Sequence, residues 1–197
     1  MVHIACIVEG QGDVASVPIL VRRIAGSHGR YDVNIVGPFR IPRSTLVRPS
    51  ELERAVERAA RATGGPGGAV LVLVDADDDA PCLLGPRLQA RAAAARDDMP
   101  VAVVLANREK EAWFIAAVES LRGRRGVPTN AEPPDGPEQI RGAKEWLFRG
   151  YSEITDQPAL SSLFDMGVAR ARSSSFDKFY REVLRILETI GPLPINP

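Results

Sequence analysis

Three sets of acidic residues stand directly behind apolar runs. Glu9 follows residues 4–8, Asp75 and Asp77 follow residues 69–74, and Glu109 and Glu111 follow residues 101–106. Carboxylates gathered in one crevice repel each other and stay ionised at neutral pH only when a cation compensates them. A hard divalent ion suits all-oxygen ligands. Mg2+, with Mn2+ as a substitute, takes one or two carboxylates together with waters and substrate phosphates, which points to phosphoryl or phosphodiester chemistry. Alternation along an extended segment sends Asp75 and Asp77 to the same side. The candidate site therefore draws on Glu9, Asp75, Asp77 and one of Glu109 and Glu111.

The elements that must position these acids follow from the hydrophobic pattern. Residues 4–8 read as a buried strand ending in the turn Glu9-Gly10-Gln11-Gly12-Asp13, and Asp13 or Ser16 is placed to cap the next helix, with Val17, Leu20, Val21 and Ile24 at helical spacing. A second strand is expected over 33–36, a long exposed loop over 37–49, and a helix from Ser50 to about Thr63. Residues 69–74 form an unbroken β-branched and leucine run, as in a strand buried on both faces. A helix over about 83–96 and a strand over 101–106 follow. Strand and helix alternate, so the expectation is an α/β fold with a mostly parallel sheet flanked by helices. In such sheets ligands bind beyond the carboxyl ends of the strands, where all three acidic sets stand.

After the Gly/Pro-rich stretch 123–137 the pattern contains no further strand. Helices are expected near 137–148, 158–164 and 176–190, so the chain reads as one domain over 1–197, with a sheet core in 1–121 and a helical C-terminal extension in 122–197. Ser173-Ser174-Ser175 caps the last helix, whose apolar face is Phe176, Phe179, Val183, Leu184 and Leu187. Trp113, Phe114 and Trp146 read as core, and His3 and His28 as packed or solvated.

Val8-Glu9-Gly10 and Asp75-Ala76-Asp77 after hydrophobic strands resemble the two motifs of the Toprim fold of topoisomerases, primases and nucleases of the overcoming-lysogenization-defect type. The order VEGQGD, DADDDAPCLLGPRL, REKEAWFIAA, AKEWL, ITDQPALSSLFD and SSSFDKFYR further resembles the DUF4276 family across almost the whole chain. The Toprim resemblance implies that Glu9 is a general acid/base or metal ligand, that Asp75 and Asp77 hold Mg2+, and that Glu111 adds a further acid. No tyrosine motif matches a DNA-linking nucleophile, so strand passage is unsupported and hydrolysis remains open.

Composition narrows the field further. The 197 residues are 45% hydrophobic and 25% charged with a formal net charge of +0, which gives no general attraction to nucleic acid; contact with it must come from local patches such as Arg122, Arg124 and Arg125. No apolar run approaches the ~20 residues of a membrane span, and two cysteines, Cys6 and Cys82, without metal-ligand spacing fit a reducing cytoplasm. Gly10-Gln11-Gly12 lacks both a following Walker lysine and the full dinucleotide fingerprint. Two function classes remain: a Mg2+-dependent nuclease or related hydrolase, and a non-catalytic effector or adaptor that works with an ATPase partner in phage defence or genome maintenance. A phosphate-accepting receiver site fits poorly, because the first strand ends in one acid and no lysine ends a following strand.

Overall fold

The computed structural model describes residues 1–65 and 67–191. Its centre is a four-stranded sheet, all parallel, in the order β2-β1-β3-β4, formed by β1 (Val2–Val8), β2 (Val33–Arg40), β3 (Gly68–Asp75) and β4 (Val101–Ala106). The connections are α1 (Asp13–Ser27) between β1 and β2, α2 (Arg43–Leu46) and α3 (Glu51–Ala62) between β2 and β3, and α4 (Pro81–Ala95) between β3 and β4. The expected parallel α/β sheet with a helical C-terminal region is the observed one.

The two-residue alternation of the strands sorts their side chains onto two cores. Ile4, Cys6, Val8, Ala69, Leu71, Leu73, Ala102 and Val104 face α1 and the C-terminal helices, while Ala5, Ile7, Val70, Val72, Val74, Val103 and Leu105 face α3 and α4. Because both faces of β1, β3 and β4 are covered, their sequences are continuous apolar runs rather than alternating ones. The strand expected over 33–36 continues to Arg40, within the segment read as loop. Its pairing with β1 shifts between Ala5 and Ile7, opposite Gly37-Pro38, and resumes at Phe39. A proline is tolerated here because β2 is an edge strand.

The C-terminal region is α5 (Ala112–Ala116), α6 (Ala143–Leu147), α7 (Asp156–Leu163), α8 (Met166–Arg172) and α9 (Ser174–Ile190), with short 3-10 turns at Val118–Leu121 and Pro137–Gln139. The helix expected over 137–148 is thus only a 3-10 turn and one short helix, and α8, capped by Asp165 accepting from the Gly167 and Val168 N–H groups, was not expected. Trp113, Phe114, Phe164, Phe176 and Phe179 are fully buried together, with Trp113 against Phe176 and Phe179 and Phe114 edge-on to Phe164. Arg23 of α1 ties α7 in place by donating to the Ser161 carbonyl at 2.7 Å and the Phe164 carbonyl at 2.9 Å. No described helix is long and apolar enough to cross a membrane.

The serine triplet does more than cap α9. Ser173 Oγ accepts from Phe176 N–H, as an N-cap does. The three hydroxyls also converge on the buried Glu138: Ser173 donates at 2.7 Å, Ser174 at 3.0 Å and Ser175 through both its hydroxyl and, at 2.9 Å, its N–H. Burial alone would raise the Glu138 pKa, but these donors outweigh it and hold the carboxyl below its ordinary range. Ser175 Oγ in turn accepts from the Trp113 indole N–H at 2.8 Å. Glu138→Ala strips this set of donors of its acceptor, and urea melts are expected to show a loss of about 2–4 kcal/mol; a loss near zero would mean that Glu138 does not pin the 122–142 segment to α9.

Candidate active site

β1, β3 and β4 lie side by side and point the same way, so the residues that follow them emerge along one edge of the sheet. Glu9 is the first residue past β1, and Asp75 is the last of β3, paired with Ala106. The Asp75 N–H donates to Glu9 Oε2 at 3.4 Å, and the Asp75 carboxylate accepts the Lys110 N–H at 3.0 Å. These two bonds link the exits of all three strands.

Behind them lies a buried charge network. The Lys110 side chain is 1% exposed, and its ammonium forms an ion pair with Asp13 and donates to Ser16 Oγ. Asp13, expected as a helix cap, serves instead as the partner of that ammonium and as acceptor of the Gly10 N–H at 2.9 Å, while the N-terminus of α1 has no side-chain cap. Glu111 is buried and accepts from Gln157 Nε2 at 3.2 Å; the same amide nitrogen reaches Asp13 at 3.4 Å. The Gln157 side chain lies so close to the β1–α1 turn that a Cβ on Gly12 would come within 1.7 Å of its Oε1. Gly12 is therefore required by close packing, which accounts for the second glycine of VEGQGD without a phosphate.

Burial sets the electrostatics. The Asp75 pKa is pushed well above the ordinary carboxyl value, first by burial and then by the negative charges of Glu111, Asp13 and Glu9, with Lys110 offsetting part of the rise. Glu9 is raised by burial and by Asp77, against the pull of the Asp75 N–H and of Arg43, and Glu111 is raised by burial against Lys110 and Lys144. The Tyr151 hydroxyl is pushed up by burial and by Glu111, Glu153, Asp156 and Asp13. Both it and Gln157 Oε1 are buried without a hydrogen-bond partner.

Asp77 and Glu109 are placed differently. The extended chain ends at Asp75; Ala76 is buried and Asp77 has a φ of 51°, so the alternation that would have put Asp75 and Asp77 on one side stops short. The Asp77 side chain is 59% exposed and pairs with Arg43 at 3.5 Å. Glu109 Oε1 accepts the Gly142 N–H at 3.0 Å and so anchors the turn before α6. Among the described residues no group of three or more His, Cys, Asp or Glu side chains is arranged to hold a metal ion. The basic trio of the 122–125 loop is also partly committed, with Arg122 on Glu132 and Arg125 on Asp156.

Lys110, Gln157 and Arg43 had no assigned place in the sequence reading, and Ser16, expected there as a possible helix cap, instead accepts from the Lys110 ammonium. Lys110 alone left a signal, as one of three lysines in an arginine-rich chain and set between the two glutamates that follow β4. Gln157 sits 144 residues from Asp13, and nothing local announces that contact. A cleft of about 1100 Å3 runs along the outer edge of β4 between α4 and α9, with Gln89 and Arg185 among its lining residues and none of the acids of the cluster.

The family model for DUF4276, a domain of unknown function, matches residues 8–184. The chain belongs to the DUF4276 family. No curated protein and no solved structure matches it significantly. The DUF4276 region takes in every member of the charge network, from Glu9 through Lys110 and Glu111 to Gln157.

The raised carboxyls give a signed pH dependence. A group whose folded pKa exceeds its unfolded value stabilises the fold fully below the unfolded value, near 3.8 for Asp75, and that contribution is lost as pH rises through the folded value. Glu138, Asp177 and Glu182 act oppositely, and their contributions are complete above pH ~4.5. Urea unfolding in the presence of EDTA should therefore show stability falling from weakly acidic to alkaline pH, with Asp75→Asn flattening the fall. A wild type and variant with parallel pH curves would remove Asp75 from the cause.

Proposed function

We propose that this chain is a magnesium-dependent phosphodiester hydrolase, a nuclease, whose cation is held by Glu9 and Asp75. The observation that carries the reading is the link between Glu9 and Asp75 at the exits of β1 and β3, with burial raising both carboxyls. Two hard oxygen donors fit Mg2+, which completes its shell with waters and substrate phosphates and does not need an all-protein cage. When bound, the ion supplies charge stabilisation at phosphorus and eases deprotonation of an attacking water. The order of the acids along the chain, Glu9 and then Asp75 and Asp77, is also that implied by the Toprim resemblance.

Within this reading the protein side chains have separate tasks. Glu9 is half-buried at the edge of the cluster, where burial raises its pKa, and it is the group placed to accept a proton from the attacking water. Asp75 is fixed by the Lys110 N–H, so its carboxylate is presented in one orientation. Lys110 and Glu111 lie inside, out of reach of a substrate, and hold the β4 exit against α1 and α7. Asp77 stands outside, on Arg43.

A second reading is a non-catalytic effector or adaptor paired with an ATPase in phage defence or genome maintenance. It is favoured by the Lys110–Asp13 ion pair, which neutralises part of the cluster without any ion. Purified protein incubated with single- and double-stranded DNA and RNA in Mg2+ or Mn2+ separates the two. The hydrolase reading predicts cleavage that requires the divalent ion and falls at least about 100-fold in Glu9→Gln and in Asp75→Asn. Cleavage surviving both changes would overturn the assignment of Glu9 and Asp75, and no cleavage of any of the four substrates would favour the adaptor.

A further inference from the structure

Three arginines from three different connections close on one acidic loop. Arg43, at the start of α2, reaches Asp77 at 3.5 Å, forms an ion pair with Asp79 and donates to the Ala76 carbonyl at 3.4 Å. Arg108, just past β4, donates to Asp78 at 3.1 Å, and Arg141, just before α6, reaches the same carboxylate at 2.7 Å. Against Arg43 and Arg108 the aspartates are the outer partners: Asp77, Asp78 and Asp79 are 59%, 72% and 58% exposed, whereas Arg43 is 17% and Arg108 32% exposed; Arg141 is as open as Asp78.

Arg43 is the fixed part of this arrangement. Arg43 Nε is buried with no hydrogen-bond partner, so its five-donor fork is not fully used by the aspartates. Asp77 and Arg108 both have left-handed backbones, with φ of 51° and 58°, and the Asp77 N–H donates to the Arg108 carbonyl at 3.1 Å. That bond joins the loops beyond β3 and β4 at their bases and leaves the side chains to move. Non-glycine residues in this region cost energy and tend to mark functional loops. Solvent-screened carboxylate–arginine pairs are individually weak, and a phosphate oxygen can take the place of a carboxylate oxygen on each guanidinium.

We propose that Arg43, Arg108 and Arg141 form a binding site for the phosphodiester chain of a nucleic acid, and that Asp77–Asp79 occupy it in the free protein as an internal stand-in for phosphate. Arrival of the chain exchanges its phosphates for the aspartates on the guanidinium groups. Asp77, two residues from Asp75, is then released as a carboxylate for a divalent cation. Anion and cation binding therefore assist each other, since each favours the state in which the arginine–aspartate pairs are open. The inference rests on the hydrolase reading only for the location of the cation beside Asp75.

The test uses binding alone and needs no turnover. Fluorescence anisotropy with a labelled octathymidylate in EDTA measures the chain, and electron paramagnetic resonance with Mn2+ alone measures the cation. Arg43→Gln is expected to weaken octathymidylate binding at least about threefold and to tighten Mn2+ binding by a similar factor, because Asp77 loses its partner. Arg141→Gln, at a side chain 71% exposed and so harmless to folding, is expected to weaken octathymidylate binding and leave the thermal melt unchanged. Inorganic phosphate is expected to compete only at concentrations at least about tenfold higher than the oligonucleotide. Unchanged anion and cation affinities in Arg43→Gln, affinities moving in the same direction, unaltered octathymidylate binding in Arg141→Gln, or phosphate competing as well as the chain would each overturn the proposal. A protein with opposed shifts but no hydrolysis keeps this site and loses the hydrolase reading; cleavage without the opposed shifts does the reverse.

Discussion

The buried ammonium of Lys110 is the interaction on which the rest of the site depends. Removing a lysine from water is tolerable only with a close partner, and Asp13 and Ser16 provide one. The backbone of the same residue donates to Asp75. One residue thus joins the first helix, the exit of β3 and the exit of β4. Its charge also fixes what remains uncompensated: Glu9, Asp13, Asp75 and Glu111 bring four carboxyls to the cluster, while Lys144 and Arg43 are engaged by Glu153 and by Asp77 and Asp79. Burial is the first cause of the raised pKa values of Glu9, Asp75 and Glu111, and neighbouring carboxylates add to it.

Much of the frame was legible because two-sided burial writes itself into the sequence. β1, β3 and β4 are continuous apolar runs, the first two ending at an acid, and the alternation of strands with helices implied parallel pairing. Edge and cap elements were less legible. β2 runs past Gly37 and Pro38 because an edge strand can spare a donor, and no local pattern announces that. The short helices between 137 and 172 owe their existence to contacts with α1, α5 and α9 rather than to amphipathic periodicity, so α8 went unread and 137–148 was overextended. Glu138 was missed as the partner of the serine triplet for the same reason, since the acid and its donors are 35 to 37 residues apart.

The acids were legible as a set but not in their separate roles. Position after a strand located Glu9, Asp75 and Glu111 at one edge of the sheet. It could not distinguish Asp75, held by the Lys110 N–H, from Asp77, turned outward by a left-handed backbone onto Arg43. Nor could it see the internal lysine, because alternation and strand order describe directions and not the long-range pairing of charges. The arginine–aspartate contacts give the outer part of the site a different character from the inner part: exposed pairs that exchange with solvent surround a buried pair that does not. An inner network that fixes geometry and an outer one that can trade partners is what recognition of a charged chain requires.

The most direct test of the central claim, that Glu9 and Asp75 form a cation site left short of positive charge by Lys110, is a crystal structure of the protein soaked in Mn2+ with anomalous scattering data. The account predicts one strong anomalous peak in contact with the carboxylates of Glu9 and Asp75, with Lys110 still on Asp13. A peak seated only on Asp77–Asp79, or no peak at either place at saturating Mn2+, would contradict it.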